Sequence, residues 1–282
     1  MVAMGFIVIL ILVAIFAPLI IKALGLPGPN DQNTSALDAF GSPAGPRGAH
    51  PFGVDDLGRD VLARTLYGAR VSLEVAFIST GIAVVLGVLV GMLAGYYRRW
   101  IDTLLSRTMD VFLAFPLLLL AIGLASACTL GKGCLGGLIT PGLPVLIVVI
   151  ALASWPYIGR IIRGQVLSIR EKEFIEAARS LGAGNRRIIF REVLPNLVAP
   201  IIVYSSLILP TNILFEAALS FLGVGVRPPT ASWGQMIADA TPIFDTAWWY
   251  MVFPGLALVL TVLAFNLVGD ALQDALNPRS DR

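Results

Sequence analysis

SLEVAFISTGIAVVLGVLVGMLAGY, from Ser72 to Tyr96, carries a single charged residue, Glu74. As a helix rising 1.5 Å per residue, such a run exceeds the ~30 Å hydrocarbon core of a bilayer. It reads as a membrane span. Five further apolar runs have suitable length: Met4–Ile21, Thr108–Ala127, Leu143–Ile162, Leu197–Ala218 and Met251–Asp270. The first lacks a basic leader, and Phe16-Ala17-Pro18 is a poor cleavage site for a secretory signal, so it reads as a retained span. The expected fold is an all-α integral membrane protein with six transmembrane helices.

The composition agrees. Of 282 residues, 57% are hydrophobic and 13% charged. Soluble domains average ~45–50% apolar and ~25% charged residues. A water-soluble domain is excluded, and a disordered chain would need more charge. Lys and Arg number 20 against 18 Asp and Glu, which supplies no basic footprint for nucleic acid. One histidine, His50, and two cysteines, Cys128 and Cys134, argue against a His- or Cys-built metal site. No phosphate-cradling Gly-x-x-x-x-Gly-Lys-[Ser/Thr] loop occurs, so any driving ATPase is another polypeptide.

Basic residues in short loops set orientation. Arg98, Arg99 and Arg107, the stretch from Arg160 to Arg191, and Arg279 with Arg282 fall on one side. Lys22, Arg47, Arg59, Arg64, Arg70, Lys132 and Arg227 fall on the other. The richer side is expected to be cytoplasmic, with both termini inside and the loop from Lys22 to Val71 outside. That loop begins as Pro/Gly/Asn-rich irregular chain and ends in Asp55–Arg70, where Val61, Leu62, Leu66 and Tyr67 suggest a separate amphipathic helix at the outer interface. His50 is expected in water. Trp233, Trp248 and Trp249 suit the membrane–water boundary. The division read from these patterns is 1–70 for the first span and outer loop, 71–275 for the transmembrane core, and 276–282 for a cytoplasmic tail.

The segment Glu171–Asn185 carries the functional signal. Phe174, Ala177, Ala178 and Leu181 recur at one helical face, Glu171, Glu173 and Glu176 lie in its first turns, and Gly182 and Gly184 end it. A short helix of this kind fits a groove on a partner or lies passively at the headgroups. Arg186 to Glu192 is polar, and Pro195 opens the next span.

The spacing Glu176-Ala177-Ala178, three residues, Gly182, then Leu194-Pro195 resembles the "EAA" loop of ABC importer permeases, with Glu192 where that family has Ile. The resemblance runs from about Phe16 to Arg279. It includes Gly53-Val54-Asp55-Asp56-Leu57-Gly58-Arg59-Asp60, Tyr67 to Leu73, Met109-Asp110-Val111, Glu216 to Gly225, Ser232-Trp233-Gly234 and Asn266 to Asp270. These stretches look like the C-type subunit of the dipeptide/oligopeptide/nickel permeases. The resemblance implies a type I ABC importer permease fold in a prokaryotic cytoplasmic membrane. It implies an ATPase-coupling role for Glu176, Ala177, Ala178, Gly182, Leu194 and Pro195. It also implies a second homologous permease subunit, two ATPase subunits holding ATP and Mg, and an extracytoplasmic substrate-binding protein. The chain itself would hold no cofactor and perform no bond chemistry. A basic stretch before the first span, expected in that family, does not precede Met4.

The remaining candidates divide between structure and function. Gly87, Gly91 and Gly95 form a small-residue stripe for close helix packing or for sliding. Asp110 and Asp270 are expected near the cytoplasmic span ends, Asp110 pairing with Arg107 or Arg160. Glu216 is a candidate for the translocation path or for capping loop backbone. Trp155, before Pro156, is a candidate path residue at a kink. Cys128 and Cys134 are candidates for a local disulfide outside the cytoplasm. Within the importer reading, nickel or glutathione are alternative substrates to di- or oligopeptides. A self-sufficient secondary carrier would show internal repeats and midplane charges. A membrane-embedded aspartyl protease would need a Gly-x-Gly-Asp setting, which Leu267-Val268-Gly269-Asp270 lacks.

Overall fold

The computed structural model describes residues 1–129, 134 and 137–276. Lys132, Arg279, Arg282 and the tail beyond 276, used in the charge reading, lie outside the described residues. Among the described residues ten α-helices follow in chain order: α1 (Val2–Ala23), α2 (Val61–Tyr97), α3 (Arg99–Ala114), α4 (Leu117–Thr129), α5 (Leu143–Ile169), α6 (Glu173–Ser180), α7 (Asn185–Arg187), α8 (Leu194–Phe221), α9 (Trp233–Ala240) and α10 (Trp248–Leu276). Among the described residues, five unbroken stretches are long and apolar enough to span a bilayer, and the bent pair α3–α4 makes a sixth when taken as one span.

Span 3 is not the straight helix expected over Thr108–Ala127. α3 and α4 meet at 91°. Pro116 has no N–H for the helical ladder and disfavours helical geometry at the residue before it. Phe115 accordingly sits at φ −84°, ψ 139°, an extended conformation.

The expected interfacial helix over Asp55–Arg70 is likewise corrected. The chain turns into α2 at Asp60, whose carboxylate caps the helix by accepting from the Ala63 N–H at 2.8 Å. The helix then runs without a break for 37 residues. The division at residues 70 and 71 therefore falls inside a helix, since nothing between Val61 and Tyr97 stops it.

α2 packs most extensively on α5. The stripe of small residues makes this contact close. A Cβ on Gly87 would stand 2.7 Å from the Ile158 Cβ, one on Gly91 2.5 Å from the Gly159 carbonyl oxygen, and one on Gly95 2.8 Å from the Val166 Cβ. Around this seam lies a core of Met92, Met109, Trp155, Ile158, Ile162 and Val166. α8 and α10 pack together, and α1 lies against α2 and α10.

The polar stretch after Gly184 is helical. α7 leads through a π-type turn, Ile188–Val193, directly into α8. Pro195 cannot donate to a carbonyl four residues back, and a wider turn just before it accommodates the loss. Ile188, Ile189 and Val193 are buried there.

Candidate functional site

The α6 end of the bundle is built on the C-terminus of α2. Tyr96 donates from its hydroxyl to Asn185 Oδ1 at 2.9 Å, and its carbonyl accepts from Arg170. The Arg179 guanidinium stands 6.0 Å from the Tyr96 ring centroid. Arg98 pairs with Glu171. These contacts fix both flanks of α6.

Only one side chain of α6, Ile175, is fully buried, in the same core as Ile188 and Leu197. Ala178 is partly buried against that core. One step around the helix, the other side is open: Phe174 is 39% and Leu181 89% exposed, and Glu176 and Ala177 are exposed. The helix ends as the sequence indicates. Gly182 takes φ +81°. Its N–H donates to the Arg179 carbonyl at 2.9 Å, and the Ala183 N–H to that of Ala178 at 3.0 Å. That pair of bonds is a Schellman stop, which needs a left-handed residue at this position. Leu194 is half-buried against the same core, and Pro195 is exposed.

α3 and α5 are tied by two ion pairs. Arg163 grips Asp102 through Nε at 2.6 Å and Nη2 at 2.9 Å. Asp110 takes both partners proposed for it, Arg160 in direct contact and Arg107 at 3.7 Å. Between the two pairs Met109 seats against Gly159. Asp270 is exposed and has no ion pair among the described residues.

At the opposite end of α2 the long loop hides a polar network. His50 is buried rather than solvated, its Nδ1 2.8 Å from Asp60 Oδ2. Asp55, fully buried, accepts from the Leu57 and Arg59 N–H groups and from Arg59 Nε at 2.6 Å. Arg64 donates to the Pro29 carbonyl at 3.0 Å and to Asn30 Oδ1 at 3.2 Å. Burial and the neighbouring Asp55 push the Asp56 carboxyl up from its ordinary value. Trp233 and Trp249 are packed inside the protein rather than displayed on its surface. Both are buried, donating through Nε1 to the Thr65 and Val54 carbonyls at 3.0 Å. Trp248 is 48% exposed.

Two candidate path residues face inward. Glu216 is fully enclosed, with Oε1 accepting from Ser220 at 2.8 Å and Ser72 and Ser232 beside it. Trp155 is buried edge-on to Phe112, centroids 5.6 Å apart. Neither borders an open surface in this conformation. Cys128 and Cys134 are joined in a disulfide.

Sequence reading missed two arrangements. One is the helix start after Asp55, where Asp60 caps the N–H of Ala63 three residues on, a pattern that an Asp ahead of an apolar run signals. The buried bridge from Ser154 to Asn212 to Thr80, at 2.8 and 2.9 Å, had no local signal, because its members are 58 and 132 residues apart.

Comparison with known proteins follows the same lines. A family model described as the binding-protein-dependent transport system inner membrane component matches residues 87–282. A dipeptide transport system permease protein of Alkalihalophilus pseudofirmus is 43% identical over 95% of this chain and 82% of its own length. A peptide transport system permease protein of Brucella suis biovar 1 is 44% identical over 82% of this chain and 74% of its own. Among solved structures, the MetNI methionine ABC transporter in an inward facing conformation superposes with TM-score 0.62 at 23% identity, covering 77% of this chain and 96% of that one. An amino acid ABC transporter superposes with TM-score 0.58 at 17% identity, covering 76% and 94%. The fold is that of a type I ABC importer permease, a multi-pass membrane protein. The chain belongs to the family of binding-protein-dependent transport system inner membrane components.

Proposed function

We propose that this chain is one of two permease subunits of an ATP-driven importer of di- or oligopeptides. It lies in a prokaryotic cytoplasmic membrane with the α6 end inside. The observation that carries the reading is α6 itself. It is held by one buried isoleucine, Ile175, bounded by a left-handed Gly182, and presents Phe174, Ala177 and Leu181 outward. A bound ATPase subunit would cover that face and push on it. Because Ile175 shares a core with Tyr96, Ile162 and Leu197, the push is passed to α2, α5 and α8. Transport then proceeds by alternating access, ATP binding biasing two arrangements of the bundle. ATP and Mg are held by the ATPase partners, and a binding protein delivers peptide to the loop end. The peptide substrate is supported by relatives named for dipeptide and peptide transport.

The test is reconstitution. This chain alone in liposomes should take up no labelled dipeptide. With a second permease, two ATPases and a binding protein, uptake should follow ATP hydrolysis. Specific uptake by the chain alone would overturn the reading in favour of a self-sufficient carrier.

A further inference from the structure

The break between α3 and α4 opens a cavity of about 370 Å³, within the ~300–1,000 Å³ of small-molecule sites. Three walls form it: Phe112, Leu113, Phe115 and Leu117 at the break, Ala153, Ser154 and Tyr157 on α5, and Leu207, Ile208 and Thr211 on α8. Each wall carries a proline beside its lining residues, Pro116, Pro156 and Pro210, so the helical ladder is interrupted on all three sides.

The base is rigid. The Ser154 hydroxyl is bound to Asn212 Oδ1, and Asn212 Nδ2 donates to Thr80. That buried bridge fixes α5, α8 and α2 around the cavity, and Phe112 is fixed against Trp155. With Ser154 engaged, the hydroxyls of Tyr157 and Thr211 remain. Both residues are exposed at the mouth, and neither hydroxyl has a hydrogen-bond partner among the described residues. A ligand seated in the apolar cavity would cover these two hydroxyls, and one with backbone-like donors and acceptors would satisfy them.

We infer that this cavity is a transit subsite for peptides, taking one apolar or aromatic side chain while Tyr157 and Thr211 hydrogen-bond the peptide backbone. The inference rests on the importer reading and gives it a side-chain preference. Apart from Tyr157 the lining has no titratable group, so a charged side chain would be desolvated there without a partner. It offers a divalent cation no carboxylate, imidazole or thiolate, which favours peptide over nickel at this position.

The test uses the whole assembly, with this chain, its partner permease, the ATPases and the binding protein in liposomes at matched permease abundance. Uptake of Phe-Phe and Gly-Gly is compared. Ala153→Phe and Thr211→Leu, which fill the cavity, should lower Phe-Phe uptake more than tenfold and the ratio of Phe-Phe to Gly-Gly at least fivefold. Tyr157→Phe and Thr211→Val, which keep shape and remove a hydroxyl, should lower both peptides by a common factor of about three. Val259→Ala, exposed on α10 and away from the cavity, is the control. Filling variants that lower both peptides in equal proportion, or neither, would overturn the inference and assign the cavity to a lipid tail or a partner-subunit side chain. A benzophenone dipeptide should also cross-link to segments 112–117 or 153–157 of the unmutated chain in competition with Phe-Phe; failure to do so overturns the inference independently of variant folding. No uptake of either peptide by the unmutated assembly would instead remove the importer reading beneath it.

Discussion

The Arg163 guanidinium holds both oxygens of Asp102, so that α3 and α5 are clamped by a two-pronged charge pair at one end of the bundle. Both side chains are mostly enclosed, at 30% and 20% exposed. Breaking such a pair leaves the other charge short of partners, at a cost of ~1.5–3 kcal/mol. Arg163→Met should therefore lower the thermal midpoint of the detergent-solubilised protein. The double variant Asp102→Arg with Arg163→Asp should recover at least half of the loss. No recovery would mean that packing around Met109, rather than the charge pair, holds the two helices.

Gly182→Val places a Cβ at φ +81°, a strain of ~1–2 kcal/mol, although no atom lies within 4 Å of that Cβ. The cost falls on the shape of the α6 stop and not on the core. Ala177→Trp adds bulk on the exposed face. Both proteins should insert normally, yet peptide uptake by the full assembly should fall more than tenfold and ATPase pull-down should weaken. Glu176→Ala should act in the same direction with smaller effect, and Lys172→Gln should be close to silent. Wild-type uptake by both of the first two variants would make α6 a passive linker.

Two glycines on the same helix give opposite forecasts. A side chain at Gly91 would meet the Gly159 carbonyl at 2.5 Å, whereas Gly81 has nothing within 4 Å. Gly91→Leu should force α2 from α5 and reduce membrane abundance severalfold. Gly81→Leu should leave abundance within a factor of two. Quantitative immunoblotting of membranes distinguishes them, and equal abundance would mean the stripe tolerates separation.

Glu216 is enclosed by α2, α8 and the start of α9 and forms no ion pair with a cation among the described residues. Glu216→Gln keeps size and hydrogen bonding and should retain most uptake and abundance. Glu216→Lys buries a cation among serines and should abolish accumulation, since an unpaired buried charge costs several kcal/mol. Loss of uptake by Glu216→Gln at normal abundance would give the carboxyl a role in transport beyond structure.

The disulfide between Cys128 and Cys134 provides a topology probe. With the α6 end in the cytoplasm, mild reduction of intact cells should expose both thiols to a membrane-impermeant maleimide. Labelling only after lysis would reverse the orientation.

Much of the bundle was legible because it rests on local signals: apolar runs of spanning length, Gly182 at a helix stop, and the stripe Gly87, Gly91 and Gly95. The broken third span was legible in principle from Pro116, but hydropathy averages over a bend and reports only an apolar run. His50 was misjudged for a different reason. A polar residue in a polar loop looks solvated until the chain folds Asp60 against it, and that contact depends on the loop turning at Gly53 and Gly58, both at φ +74°. Asn212 was invisible because its partners come from two other helices.

The unbroken course of α2 has a mechanical consequence. Its 37 residues make a rod of about 55 Å, anchored in the Asp55–Arg64 network at one end and in the α6 contacts through Tyr96 at the other. A lever of that length, tilted by about 10°, displaces its far end by about 10 Å. Under the proposed importer function, a small rocking at α6 would therefore be felt as a large swing at the loop end, where a delivering protein would rest. On that reading the same swing would work in reverse, so that an arrival at the loop end would be registered at α6 without any chemical signal crossing the bilayer.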